Sequence, residues 1–250
     1  MTTSFTTPRV ALITGAGSGI GRAIAIRLAA MGYSLMLSGR TEATLIETKN
    51  IIQSREPTIK TVYCVMDVRD AIQCDTLVSE TLTQFGQIDV LVNNAGIAST
   101  IGLIQEIPAE QVHAMIDTNL KGAIFMMQSV LNRCMVAQGA GTIVNINSVA
   151  GQTAFPFWSV YDASKFGLRA VTEAVAEEQR QNGIKVVGLY PGATDTPIWS
   201  SLDRASTAEP MNTEGMLSPE RIADAVAYIL QQPQGVFVSE LTLAPIKPVL

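Results

Sequence analysis

The pentapeptide YDASK, residues 161–165, sets a phenol (Tyr161) and an ammonium (Lys165) four positions apart, at the head of a run with helical character, FGLRAVTEAVAEEQR. One helical turn puts such a pair on the same face. A free tyrosine ionises at about 10, and a neighbouring cation favours its phenolate, so the pair has the makings of an acid–base group acting close to neutral pH. The competing reading is an aromatic ring packed on a lysine stem. Ser148 closes the apolar stretch GTIVNINS (141–148). Open α/β sheets place ligands at the C-terminal ends of their strands, so its hydroxyl is expected to orient a substrate oxygen against Tyr161.

A second cluster, TGAGSGIG (14–21), lies between the apolar VALIT (10–14) and the helical GRAIAIRLAAMG (21–32). Gly15 permits a tight turn, Gly19 lets the backbone approach a phosphate, and Gly21 allows close packing of helix on sheet. The helix N-terminus then offers unpaired N–H groups to a pyrophosphate. The spacing is not G-x-G-x-x-G, because the third glycine would fall on Ile20; it reads T-G-x-x-x-G-x-G. A dinucleotide site is expected. In SLMLSGRT (34–41), Gly39 stands where an acidic residue would accept a ribose 2′-hydroxyl, and Arg40 and Thr41 follow. A guanidinium and a hydroxyl suit a 2′-phosphate, so NADP(H) is favoured, with NAD(H) as the alternative. An arginine stacked over adenine would serve either cofactor.

Elements of both periodicities must carry these groups. Strands are expected at 10–14, 34–39, 61–68, 89–92, 141–148, 184–192 and 236–244. Helices are expected over 21–32, about 41–54, about 70–85, 117–135, the YDASK segment and about 219–231. Apolar strands alternating with helices imply a mostly parallel, seven-stranded sheet flanked by helices and wound on both faces. No linker interrupts the pattern, so residues 1–250 are read as one domain. Two segments are candidate substrate walls: QTAFPFWSV (152–160), with Phe155, Phe157 and Trp158, and the polar loop 195–217, with Ile198, Trp199, Met211 and Met216. A loop of that length is usually functional, and Arg204 within it is the one candidate partner for an anionic substrate.

The chain has 250 residues, 47% hydrophobic and 16% charged, which fits an ordered globular body. A net charge of −5 without a basic cluster argues against nucleic acid. Cys64, Cys74 and Cys134 show no CxxC spacing, consistent with reduced thiols and with no metal site. The N-terminal MTTSFTTPR lacks the apolar run of a signal peptide, and no stretch approaches the ~20 apolar residues of a spanning helix. A cytoplasmic protein without membrane attachment is expected. His113, the single histidine, is read as a helix residue without a role, and Met115, Met126, Met127 and Met135 as packing residues.

Taken in order, TGAGSGIG, DV (67–68), NNAG (93–96), Asn119, Ser148, YDASK and PG (191–192) resemble the short-chain dehydrogenase/reductase family from about residue 8 to the last strand. The resemblance implies a Rossmann-type fold and a nicotinamide-dependent oxidoreductase acting on a small-molecule carbonyl or secondary alcohol. It implies that Gly15, Ser18, Gly19, Ile20 and Gly21 line the pyrophosphate and that Asp67 and Val68 hold the adenine. Asn94, Ala95 and Gly96 would wall the adenine ribose side; Pro191, Gly192, Thr194 and Thr196 would flank the nicotinamide. Tyr161 would be the general acid/base, primed by Lys165, which also holds the nicotinamide ribose. Ser148 would orient the substrate, and Asn119 would anchor a water that feeds protons through Lys165. The loop 195–217 resembles the family's lid, and a homotetramer or homodimer is implied. The end, VSELTLAPIKPVL, lacks the DGG-like turn of many members, which weakens a carrier-protein reductase reading. A non-catalytic cofactor sensor or scaffold, or a reductase of acyl or pterin-type substrates, are the alternatives.

Overall fold

The computed structural model describes residues 8–204, 214–233 and 235–247. The main sheet is built from β1 (Val10–Thr14), β2 (Ser34–Gly39), β3 (Thr61–Val65), β4 (Val90–Asn93), β6 (Gly141–Ile146), β7 (Ile184–Pro191) and β9 (Glu240–Leu243). Two further strands, β5 (Thr100–Ile101) and β8 (Asp203–Arg204), pair only with each other. The order β3-β2-β1-β4-β6-β7-β9 is parallel throughout. The chain thus winds outward from β1 in one direction and, from β4, in the other. Loops after β1 and β4 diverge, and a crevice opens between them above the strand ends.

The helices are α1 (Gly19–Ala30), α2 (Glu42–Arg55), α3 (Ala71–Phe85), α4 (Ala109–Ile116), α5 (Gly122–Val130), α6 (Val136–Gln138), α7 (Ser159–Gln179) and α8 (Pro219–Gln231). Neighbouring strand residues point to opposite faces. Ile13 and Leu37 join Ile24, Leu28, Leu45, Ile222 and Val226 from α1, α2 and α8 on one side. Leu12 and Met36 join Leu77, Val78, Met126, Met127 and Val130 from α3 and α5 on the other. Each fully buried aliphatic chain of this kind contributes about 1.5–3 kcal/mol, which is why strands covered on both faces read as unbroken apolar runs.

Several boundaries differ from the sequence expectation. β3 ends at Val65, leaving Asp67 and Val68 in the following loop. The helical run expected over 117–135 begins at Ala109 and ends at Gln138, interrupted by π-turns at Asp117–Lys121 and Leu131–Met135. The four methionines of this region are buried in the core. The loop 195–217 is not without structure: a 3₁₀ turn spans Pro197–Ser201, β8 follows, and Thr194 bridges to Leu217. Residues 205–213, including Met211, lie outside the described residues, as does the side chain of Arg204.

Candidate functional site

The glycine loop follows from local sterics. Gly15 (φ 65°) and Gly19 (φ 50°) occupy the left-handed region, which disfavours any side chain. A Cβ on Gly21 would lie 2.2 Å from the Gly15 carbonyl oxygen and 2.5 Å from Asn94 Nδ2. Gly21 is therefore buried behind the loop and lets α1 press onto it, the packing expected from its spacing; it does not line the cleft, where the resemblance had placed it. Gly17, to which no role was assigned, does line it. Ser18 occupies the N-cap of α1 without a side-chain capping bond, so the first-turn N–H groups are not claimed by its hydroxyl.

Polar ties fix this loop from three sides. Thr14 Oγ1 accepts from the Asn94 and Ala95 amides, both at 3.0 Å, and Asn94 Nδ2 donates to the Thr14 and Gly15 carbonyls. Arg22 donates through Nη2 (2.6 Å) and Nε (3.1 Å) to the Gly17 carbonyl, and Thr48 Oγ1 donates to that of Ala16. Asn94 thus serves the loop with its side chain while lining the cleft. Thr14, Arg22 and Thr48 escaped sequence reasoning; only Thr14, the first letter of the glycine motif, carried a signal.

The cleft above the loop encloses about 360 Å³ and is lined along its length by Gly15–Ile20 except Ala16, by Gly39–Thr41, by Asp67 and Val68, by Asn94–Ile97, and by Tyr161, Lys165 and Thr196. Arg40 is exposed at its far end, close enough to Asp67 to help hold that carboxyl below its ordinary range. The larger cause is Arg69, which grips both Asp67 oxygens. A second, smaller cavity of about 140 Å³ adjoins the first and is walled mainly by apolar groups: Ile20, Val149, Phe155, Trp158, Ile198 and Trp199. Ser148, Pro191, Gly192 and Thr194 line this cavity and not the cleft, whereas Thr196 and Tyr161 line both. Phe157 is a correction. It lines neither cavity, is 53% exposed, and adopts φ 72° as the chain turns toward α7.

Tyr161 and Lys165 project from the first turns of α7, with the ammonium 5.7 Å from the centre of the phenol ring. Lys165 is buried, and Nζ donates to the Ile146 carbonyl at 3.0 Å. Burial pushes its pKa down to about 8. Burial pushes the Tyr161 phenol up to about 12, the Ser148 hydroxyl bond opposing the shift and the Asp162 charge adding to it. The sequence expectation ran the other way, with Lys165 drawing the phenol toward neutrality. With the phenol raised by burial, Tyr161 carries its proton at pH 7, as a phenol of ordinary acidity also would. Ser148 also accepts from the Ala150 amide at 3.1 Å, which fixes its Oγ.

Asn119 lies in the π-turn, 1% exposed, and reaches neither cavity. Its Oδ1 accepts from the Ile97 amide, and Nδ2 donates to the Ile97 carbonyl and to Ser164 Oγ. Both Nδ2 hydrogens are spent, and the side chain splices the loop after β4 to α7. His113 is exposed on α4. Among the described residues no group of His, Cys, Asp or Glu is arranged to hold a metal ion, and no helix is long and apolar enough to cross a membrane.

Comparison with known proteins places the chain. The family model for short chain dehydrogenase matches residues 9–207. An uncharacterized oxidoreductase of Staphylococcus saprophyticus is 36% identical over 239 residues, 95% of this chain and 97% of the relative. An alcohol dehydrogenase of the archaeon Thermococcus sibiricus, solved with 5-hydroxy-NADP, superposes with a TM-score of 0.86 at 30% identity, covering 96% of this chain and 98% of that one. Actinorhodin polyketide ketoreductase, solved with NADPH, gives 0.86 at 31%, covering 95% and 96%.

Proposed function

The chain belongs to the short chain dehydrogenase family, and from that premise we propose that it is an NADPH-preferring reductase of an uncharged ketone, with the reverse oxidation of the secondary alcohol, and that Tyr161 is its general acid/base. One observation carries the reading: Tyr161 stands where the glycine-lined cleft meets the apolar cavity and lines both. The residues present fit the nicotinamide cofactor. The left-handed glycines bring backbone to the cleft, α1 keeps uncapped N–H groups there, and Arg40 with Thr41 lies at the end suited to a 2′-phosphate. Both solved relatives described above carry an NADP-type molecule, which supports the same preference.

Bound, the cofactor supplies a hydride to the carbonyl carbon. The chain does the rest. Tyr161, protonated at neutral pH, gives its proton to the oxygen that gains negative charge, and Ser148 donates a second hydrogen bond to that oxygen. Lys165, with its pKa at about 8, is mostly charged at pH 7 and stabilises the phenolate left behind. Asp67 and Val68 bound the adenine end, and Pro191, Gly192, Thr194 and Thr196 the nicotinamide end. Phe155, Trp158 and Trp199 exclude water from the reacting centre. The segment 195–217 would act as the lid, and a cytoplasmic homotetramer or homodimer fits the family reading; light scattering on the purified chain tests the assembly.

The test is consumption of NADPH and NADH over a panel of ketones, diketones and β-keto esters, with Tyr161→Phe alongside. Turnover by the parent protein alone, faster with NADPH, supports the reading. Tight NADPH binding with no turnover across the panel would turn it into a cofactor sensor.

A further inference from the structure

One charged side chain of the YDASK turn enters the chemistry above only through its charge, which helps raise the Tyr161 phenol. Asp162 is only 4% exposed, yet it is a carboxylate beside a catalytic centre. Its Oδ2 accepts from the Phe155 amide at 2.7 Å, and its Oδ1 is buried with no hydrogen-bond partner among the described residues. Burying a carboxylate with half its acceptor capacity unfilled is costly, so the single bond it makes is the one return on that burial. That bond closes a ring. The Trp158 amide donates to the Phe155 carbonyl at 3.2 Å, and the Asp162 amide donates to the Trp158 carbonyl at 2.8 Å. The enclosed turn contains Phe157 in the left-handed region, a conformation that needs support from its surroundings.

The two side chains at the corners of this ring face the apolar cavity. Phe155 and Trp158 both line it, and the Trp158 ring lies edge-on to Tyr161 at 5.6 Å and to Trp199 at 6.1 Å. Without an acceptor at residue 162, the Phe155 amide would be left unpaired in a half-buried turn, and the turn would open to find water. We propose that Asp162 is a positioning residue: by holding the Phe155 amide it fixes the Phe155–Trp158 wall against Tyr161 and so sets which ketones fit the pocket. This rests on the reading of that cavity as the substrate site.

The chain has two tryptophans in all, and both line this cavity. Intrinsic emission therefore reports on the wall without substrate, cofactor or turnover. D162A removes the acceptor, whereas D162N keeps an oxygen for Phe155 and discards the charge. D162A is expected to show red-shifted emission, faster amide exchange in the peptide 152–158, and KM for the best ketone raised roughly tenfold, with kcat changed less, the scale of one charge-assisted hydrogen bond. D162N is expected to restore the emission and bring KM to within about threefold of the parent. Parent-like emission and KM in D162A would overturn the proposal, as would a D162N protein as impaired as D162A. Should D162A not fold, D162S, whose hydroxyl is too short to replace the carboxylate, takes its place with the same readings. Should the parent reduce no ketone, emission and exchange still decide the role of Asp162, while the catalytic reading fails separately.

Discussion

Lys165→Met should make the protein inactive and more stable at once. Lys165 is 5% exposed, and among the described residues its ammonium hydrogen-bonds the Ile146 carbonyl alone. Burial moves its pKa from 10.5 to about 8. At 1.36 kcal/mol per tenfold change in acidity, holding the charged form in place costs about 3 kcal/mol at pH 7. Methionine nearly conserves the volume and carries no charge, but it strands the Ile146 carbonyl, which returns about 1 kcal/mol. The net gain is about 2 kcal/mol, or about 4–8 °C in Tm for a chain of this length. The sign with pH is fixed by the direction of the shift. Below about 8 both folded and unfolded lysine are protonated, and the full penalty stands. Between about 8 and 10.5 only the unfolded state keeps its proton, so the parent gains stability as pH rises and the gap closes. Thermal melts of both proteins without cofactor at pH 7 and pH 10 read this directly. A variant less stable than the parent at pH 7, or a gap that does not shrink with pH, would refute the reasoning.

Three further outcomes are expected. Gly21→Ala forces a methyl to 2.2 Å from the Gly15 carbonyl and should cost about 1–3 kcal/mol while weakening NADPH binding; Gly86→Ala, with φ 81° but nothing within 4 Å, should cost about 1 kcal/mol and leave binding unchanged, as calorimetric titration and melts can show. Arg40→Asp should raise the Kd for NADPH roughly a hundredfold, the scale of losing a charged pair and gaining a repulsion, and change that for NADH little; equal losses for both would remove Arg40 from cofactor choice.

Much of the fold was legible because its strands are buried on both faces. VALIT, SLMLSG and TIVNI are apolar without alternation, and each became a central strand, β1, β2 and β6. The helix α8, expected near 219–231, spans Pro219–Gln231, with Ser218 at its N-cap and proline in its first turn. What local sequence could not supply was long-range. β5 and β8 have two residues each and exist only because the chain folds back on itself there. The cleft residues followed their motif letters where backbone geometry fixes them, as at Gly15 and Gly19. The close packing read at Gly21 is what the structure shows, whereas the ties of the Asn119 side chain to Ile97 and Ser164, 22 and 45 positions away, carried no local signal. Phe157 failed for a simpler reason: in an aromatic triplet, the one left-handed residue points its ring away from its neighbours' cavity. The upward shift of the Tyr161 phenol was not legible because burial is invisible in a pentapeptide.

The central claim is hydride transfer at the junction where Tyr161 stands, and isotope transfer tests it most directly. The parent protein is incubated with NADPH deuterated at the transferring position and the best ketone of the panel, and the alcohol is analysed by mass spectrometry. The account expects one deuterium on the carbinol carbon, formed by the parent and nearly abolished in Tyr161→Phe, whose cofactor binding is intact. Alcohol without deuterium, or undiminished transfer in Tyr161→Phe, would contradict it.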